Sequence, residues 1–596
     1  MASDPRLLRV DLSTGAVARE PLPADWVRRF VGGKGLAARV LYDELAPGVD
    51  PLGPANALAF AAGPLTGWLP GEPRYVAVTK SPQTGGFLDA YGGGTFPGRL
   101  AGSLGDHALL LVTGAADRPT RIVLEDGSAT VEPADDWWGL DAVELADRVG
   151  DGTAAGIGPA GEHRVRYATI ASDGGDHHAG RGGAGAVMGS KRLKAVVARG
   201  EPPALPAALE PLREAALDRF EASPTGRWHR TGGTAESVDF ADAVGGLATR
   251  GWQSSRFDGA EDVGVEAVRA RANGRERADE PVPGDFHVGE GVIRGGAGMT
   301  LGAGLGIADA GAVADLGAAC DRLGLDLVSA GNVLAWAVRA DADGHLDAPL
   351  AFGDPVGAAA LLDAIATRAT PLADVLADGV DAAADRYGGR GLVPSVKGLE
   401  LPNYDPRAAP SMALAYATSD RGACHRRARP IEREPFEGGW TPERAAAAVV
   451  AEQDARAASW CLVADDFAGE ALADGGAAWL AAIGHPAATA GADPAEAFDR
   501  LGERVWTLTR LFNVREGWRR ADDALPPALT VVAAADETPA VRPDRFEAML
   551  DAYYARRRWG ADGRPSRDLV TELGLGALAD DAGLLADEPT RPPSDR

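Results

Sequence analysis

The chain is predicted to be an α+β protein, with a β-rich N-terminal domain followed by two mainly helical domains. Three observations predict this. Short apolar runs bounded by turn residues recur up to about residue 200, which is the pattern of strands. A proline-bearing linker, Glu201-Pro202-Pro203-Ala204-Leu205-Pro206, then separates them from long Ala/Leu/Asp/Arg segments with three-to-four-residue apolar spacing, the pattern of amphipathic helices. At 596 residues the chain is too long for one core. The boundaries read as 1–204, 205–398 and 399–596.

Taken in order, Leu8-Arg9-Val10-Asp11-Leu12, the turn Ser13-Thr14-Gly15 and the return Ala16-Val17-Ala18 read as a hairpin. Further strands are expected over 57–62, 75–79, 108–112, 121–124, 166–171 and 195–198. Helices are expected over 36–42, 207–221, 310–323, 329–340, 355–366, 442–458, 494–511 and 543–557. The polar tail from about 587 predicts no packed structure.

Composition narrows the function. There are 60 basic against 86 acidic side chains, a net charge of −26, which repels nucleic acid and anionic lipid. Lysine is scarce and aspartate abundant, as in proteins kept soluble at high salt. No apolar run reaches the ~20 residues that span a bilayer, and Met1-Ala2-Ser3-Asp4-Pro5-Arg6 lacks the features of a signal peptide. The expectation is a cytoplasmic protein. Cys320, Cys424 and Cys461 are far apart in sequence and form neither a CxxC pair nor a disulfide framework; isolated thiols read as buried small hydrophobes.

The densest motif is His177-His178-Ala179-Gly180-Arg181-Gly182-Gly183-Ala184-Gly185, continuing through Gly189-Ser190-Lys191-Arg192-Leu193-Lys194. Its glycines bare backbone N–H groups and its cations flank them, the arrangement that holds phosphates. Gly32-Gly33-Lys34-Gly35 sits at the start of the helix expected over 36–42, readable as a glycine turn or as an anion contact through Lys34. Pro73-Arg74-Tyr75 begins a strand, and Tyr91-Gly92-Gly93-Gly94 follows it. Cys320-Asp321-Arg322-Leu323-Gly324-Leu325-Asp326 reads as a helix end capped by glycine. Asp420-Arg421-Gly422-Ala423-Cys424-His425-Arg426-Arg427 places an imidazole suited to proton transfer among arginines.

These strings, with Lys397–Arg407, Arg504–Arg520 and Tyr553–Trp559, resemble the aldehyde:ferredoxin oxidoreductase family of tungsten-pterin enzymes over nearly the whole chain. The resemblance implies a tungstopterin or molybdopterin cofactor in bis-pterin form, held in a cofactor cavity between the domains. Its contacts would be Arg74, Gly92, His178, Ala179, Gly180, Arg181, Asp321, Gly324 and Leu325, with His425 as the catalytic proton carrier. It also implies a small-molecule substrate such as an aldehyde, a redox partner protein and a homodimer. Departures from the family pattern are specific. An expected asparagine is Ala90, and an expected arginine is His178. The family's CxxCxxxC run is missing, since no cysteine lies between Glu266 and Ala310. In the second DxxGLC-type motif, Trp460-Cys461-Leu462-Val463-Ala464-Asp465, Trp460 replaces the pterin-binding aspartate and Asp465 the cluster cysteine. Cys461 in a shifted register leaves one thiolate, and a [4Fe–4S] cluster needs four, so no such cluster is expected. The stretch Gly295–Leu301 carries no carboxylate where the family has a glutamate. The two readings are therefore a pterin oxidoreductase without its own cluster and a non-catalytic relative that keeps the fold.

Overall fold

The computed structural model describes residues 6–472, 476–489, 494–532, 535–579 and 583–586. The first five residues and the tail from 587, both read above, lie outside them. Twelve strands build the N-terminal region: β1 (Arg6–Asp11), β2 (Ala16–Pro21), β3 (Leu58–Ala61), β4 (Tyr75–Lys80), β5 (Phe87–Gly92), β6 (His107–Thr113), β7 (Thr120–Glu125), β8 (Ser128–Pro133), β9 (Thr153–Gly156), β10 (Ile170–Ser172), β11 (His177–Ala179) and β12 (Leu193–Ala198). They form two six-stranded sheets, ordered β2-β1-β6-β3-β4-β5 and β11-β10-β9-β12-β7-β8.

Side-chain alternation explains how these sheets are covered. Along β4, Tyr75 and Ala77 join a core shared by the two sheets, while Val76 and Val78 join a core made with the C-terminal helices. The first sheet is thus covered on both faces there, which is why β3, β4 and β5 are buried along their whole length rather than alternating. The hairpin forms as expected, with Gly15 at φ 71° in its turn.

A second helical core gathers around Ala310–Leu323 and Leu327–Ala342. Val313, Leu316, Cys320 and Leu323 recur at helical spacing, and all point into it. The expected 166–171 strand is shortened to Ile170–Ser172. Its first half leaves the sheet to bond the helical region: the N–H groups of Arg166 and Thr169 donate to Ala377 O and Gly324 O, and Asp326 N–H donates to Tyr167 O. That stitch pins the end of the Ala310–Leu323 helix beside β10 and β11. Among the described residues no single helix is long and apolar enough to cross a bilayer.

Candidate cofactor and substrate cavity

A cavity of about 600 Å³ opens where the first sheet, the glycine loop and the two helical cores meet. Of the ten residues expected at the site, Arg74, His178, Gly180, Arg181, Asp321, Leu325 and His425 line it. Gly92, Ala179 and Gly324 stand just behind the wall. A Cβ at Gly92 would meet the Tyr75 ring at 2.4 Å, so glycine lets β5 close on β4 there. Gly324 is the left-handed cap of its helix, at φ 76°.

The cations of the glycine motif divide. Arg181, at φ 73°, turns inward; its guanidinium donates to Ala423 O (2.8 Å) and pairs with Asp326 (3.3 Å). Lys191 and Lys194 do not reach the cavity. The helix Ala184–Ser190 carries them away, and their ammonium groups are taken by Gly114 O (2.8 Å) and Leu140 O (2.7 Å), with Glu162 a further partner of Lys194 at 2.5 Å. Lys34 likewise offers no contact to a ligand: fully buried, it pairs with Asp89 (3.1 Å) and Asp420 (2.5 Å). Of the two readings of Gly32–Gly35 the glycine turn fits, and burial forces each of these ammonium groups to find a protein partner.

Arg74 pairs with Glu72 (2.7 Å) and Asp465 (3.3 Å). Burial would raise the Glu72 carboxyl, but Arg74, His177 and Arg277 hold it well below the usual range. Glu72, His177 and Glu276 bring ligand-type atoms within 4.8 Å of one another. Both carboxylates are already matched by arginines, Glu72 by Arg277 at 3.1 Å and Glu276 by Arg294 at 3.1 Å. Glu72, Glu276, Arg277 and Arg294 were not singled out from sequence; Glu72 and Arg277 lie 205 positions apart and leave no local pattern.

His178 uses both ring nitrogens inside the protein: Nδ1 meets Thr169 Oγ1 at 2.6 Å and Nε2 meets Gly175 O at 2.8 Å, with Asp321 at 3.3 Å. Burial and then Arg294 push its pKa down to about 3, so it is uncharged. Burial pushes the Asp321 carboxyl up to about 7 against the pull of Arg294. His425 is held well below its usual value by burial, then by Arg429, Arg426 and Arg181. Its Nδ1 has no hydrogen-bond partner, and its ring sits 5.5 Å from that of Tyr404. Beside it, Arg421 donates to Cys424 Sγ at 3.1 Å. Burial raises the Cys424 thiol, yet Arg421, Arg427 and Arg181 outweigh it and bring it down to about 7. Sequence spacing could have flagged Cys424, since it adjoins His425 between arginines.

The floor fits an anionic, N–H-rich group. Arg74, Arg181 and Arg421 all line the cavity, and guanidinium groups are suited to a phosphate or similar anion. Asp321 supplies the acceptor. A cluster held by four thiolates is not matched by the residues present. The chain has three cysteines, and Cys320 and Cys461 are sealed in different cores. Asp465, at the expected position of a cluster ligand, is engaged by Arg74 and accepts from the N–H groups of Phe467 (3.0 Å) and Ala468 (2.9 Å).

Comparison with known proteins agrees with this geometry. Residues 7–200 match the model of the aldehyde ferredoxin oxidoreductase N-terminal domain, and residues 212–575 that of its domains 2 and 3. The tungsten-containing aldehyde ferredoxin oxidoreductase of Thermococcus kodakarensis is 34% identical over 96% of this chain and 98% of its own. The Pyrococcus furiosus protein of the same name is 33% identical with the same coverage, and the WOR-like subunit of its aliphatic sulfonate oxidoreductase is 25% identical. The solved active site complex BamBC of benzoyl coenzyme A reductase shares the fold, with a TM-score of 0.78 at 22% identity over 96% of this chain and 97% of that one. The chain belongs to the aldehyde ferredoxin oxidoreductase family.

Proposed function

We propose that the chain is a tungsten- or molybdenum-pterin oxidoreductase acting on an aldehyde, without an iron–sulfur cluster of its own. The observation that carries this reading is the cavity lining, where Arg74, Arg181 and Arg421 stand with the Asp321 carboxyl beside the glycine loop. Asp321 would accept from pterin N–H donors. Arg74, Arg181 and the backbone around Gly92, Ala179, Gly180, Gly324 and Leu325 would hold the rest of a bis-pterin group, with His178 keeping Asp321 in place. The bound group supplies a two-electron acceptor. His425, uncharged and lining the cavity, would take one of the two protons released as an aldehyde and water become a carboxylic acid. The Gly295–Ala297 helix and the following Gly298–Gly302 turn line the cavity with Gly296, Met299 and Thr300, so no acid from this segment shares that task.

The iron–sulfur part of the reading is supported by the cysteine count and by the engagement of Asp465. Electrons would then leave directly to a separate acceptor or partner protein. Self-association as a homodimer belongs to the same proposal, and the net charge argues against a nucleic-acid partner. Elemental and pterin analysis of the purified chain tests it. Tungsten or molybdenum with pterin fluorescence after denaturation is expected, with iron far below four atoms per chain. Dye-linked aldehyde oxidation should fall about 10²- to 10⁴-fold in His425→Ala. Absence of both metal and pterin would overturn the enzyme reading and leave a ligand-binding or subunit role.

A further inference from the structure

We propose that the end of the cavity walled by Trp228, Phe240 and Phe467 binds an aromatic ring, which makes an aromatic aldehyde the substrate class. The inference rests on the reading of this cavity as the site of an aldehyde oxidoreductase.

The cavity lining is mixed. Arg74, Arg181, Arg421, Asp321 and His178 supply charged and polar groups, and Arg429 lies over the Phe467 ring at 5.3 Å. Toward one end, the helix Pro224–Gly232 presents Trp228 and His229, the helix Glu236–Ala243 presents Phe240, and Phe467 follows the turn capped by Asp465. Val282 and Ile431 complete this wall. Trp228, Phe240 and Phe467 are only half-buried, whereas the core tryptophans Trp336, Trp460 and Trp506 are sealed. Their remaining apolar surface faces the cavity. The ring centroids of Trp228 and His229 lie 5.7 and 5.0 Å from that of Phe467, inclined at 48° and 50°. Rings so tilted leave faces and edges open to a further aromatic ring. A two-carbon aldehyde would leave this wall wetted, which costs binding in proportion to the apolar area left exposed.

His229 adds one polar atom to the aromatic end. The residue is 6% exposed and its Nδ1 has no hydrogen-bond partner. Burial lowers its pKa, so its ring packs beside Phe467 without a charge. On the other side, the contact between Tyr404 and His425 links the apolar wall to the proton-handling group. An aldehyde carbon presented toward His425 would therefore carry its ring among Trp228, Phe240 and Phe467.

Titration of the purified full-length chain with benzoate and with acetate tests the site, read by tryptophan fluorescence and calorimetry. Benzoate is expected to bind at least about ten-fold tighter than acetate, with the preference falling to about three-fold or less in Phe467→Ala. Trp228→Leu decides the point if Phe467→Ala does not fold. Equal affinities, or a preference that survives in the folded variants, would overturn the aromatic site. Two further outcomes separate the proposals. Metal-loaded protein that oxidises acetaldehyde with a kcat/KM equal to that for benzaldehyde would overturn the aromatic site alone. Protein without metal or pterin that still selects benzoate, and loses that selection in Phe467→Ala, would overturn the oxidoreductase reading and support the ring site.

Discussion

Two helix ends face each other across the cavity with nearly the same backbone and different chemistry. The Ala310–Leu323 helix ends Asp321-x-x-Gly324-Leu325-Asp326, and the Pro442–Leu462 helix ends Trp460-x-x-Val463-Ala464-Asp465. Gly324 and Val463 are both left-handed, at φ 76° and 56°. Asp326 and Asp465 each cap the next turn through N–H groups two and three residues on. Each also pairs with an arginine at 3.3 Å, Asp326 with Arg181 and Asp465 with Arg74. The ends part at their first residue. Asp321 offers a carboxyl to the cavity. Trp460 is sealed, its indole donating to Asp466 (3.1 Å) and its face covered by Arg427 at 4.3 Å and Lys34 at 5.1 Å. The scaffold of a two-sided grip is thus intact while one side has become a structural ion–aromatic knot.

If that knot is structural, breaking it should cost stability more than anything done at the other end. Arg427 is fully buried, bonded to Asp420 (Nε–Oδ1 2.9 Å) and to Asp89. Arg427→Leu leaves two buried carboxylates with Lys34 as their shared cation and the Tyr91 hydroxyl still donating to Asp89 (2.7 Å). A loss of about 3–5 kcal/mol is expected, measured by urea unfolding. A loss below about 1 kcal/mol would mean that the ion pairs merely offset their own desolvation.

The Asp321 end should respond to pH instead. Its carboxyl titrates near about 7 when folded, against about 3.9 in an unfolded chain. A raised pKa stabilises the fold fully only below the unfolded value, and this contribution is lost as pH rises through about 7. The cofactor-free chain should therefore weaken between pH 4 and 8 in a way that Asp321→Asn does not. Because the side chain is 14% exposed to the cavity, water screens part of the effect. Asp321→Asn is expected to gain about 1–3 kcal/mol at pH 8 and to release pterin more easily. Melting curves of the two proteins that stay parallel across this range would rule out the buried acid.

How much of this contrast was legible in the sequence depended on the residue type at each turn. Gly324 announced a helix end because glycine is the usual left-handed cap. Val463 hid the matching end, since a β-branched residue at positive φ is not expected. Arg74 was readable as a site residue, but its partner Asp465 lies 391 positions away and only the fold joins them. Lys34 was ambiguous for the same reason: the glycines around it suit an anion loop as well as a turn. Those glycines instead permit close packing against the Trp460 end; a Cβ at Gly33 would lie 2.5 Å from Trp460 O. The aromatic wall was invisible because Trp228 and Phe467 come from segments that sequence spacing cannot bring together.

The cysteines sharpen the comparison at least energetic cost. Cys320 precedes Asp321 and Cys461 follows Trp460, so each helix end carries a thiol on its sealed side. Burial pushes Cys461 up to about 12 and Cys320 well above its ordinary value. Cys424 lies on the loop that touches both ends: Arg181 from the Asp326 side and Arg427 from the Trp460 side bring it down to about 7, together with Arg421. Only the thiolate reacts with an alkylating agent, and only Cys424 lines the cavity. Iodoacetamide at pH 8, with the modified peptides read by mass spectrometry, should label Cys424 more than about 100-fold faster than Cys461. The rate should rise through pH 7 and shift upward in Arg421→Met, which removes the nearest donor. Equal labelling of the two would show that the arginines do not act on the thiol, and that the loop between the two helix ends is electrostatically independent of both.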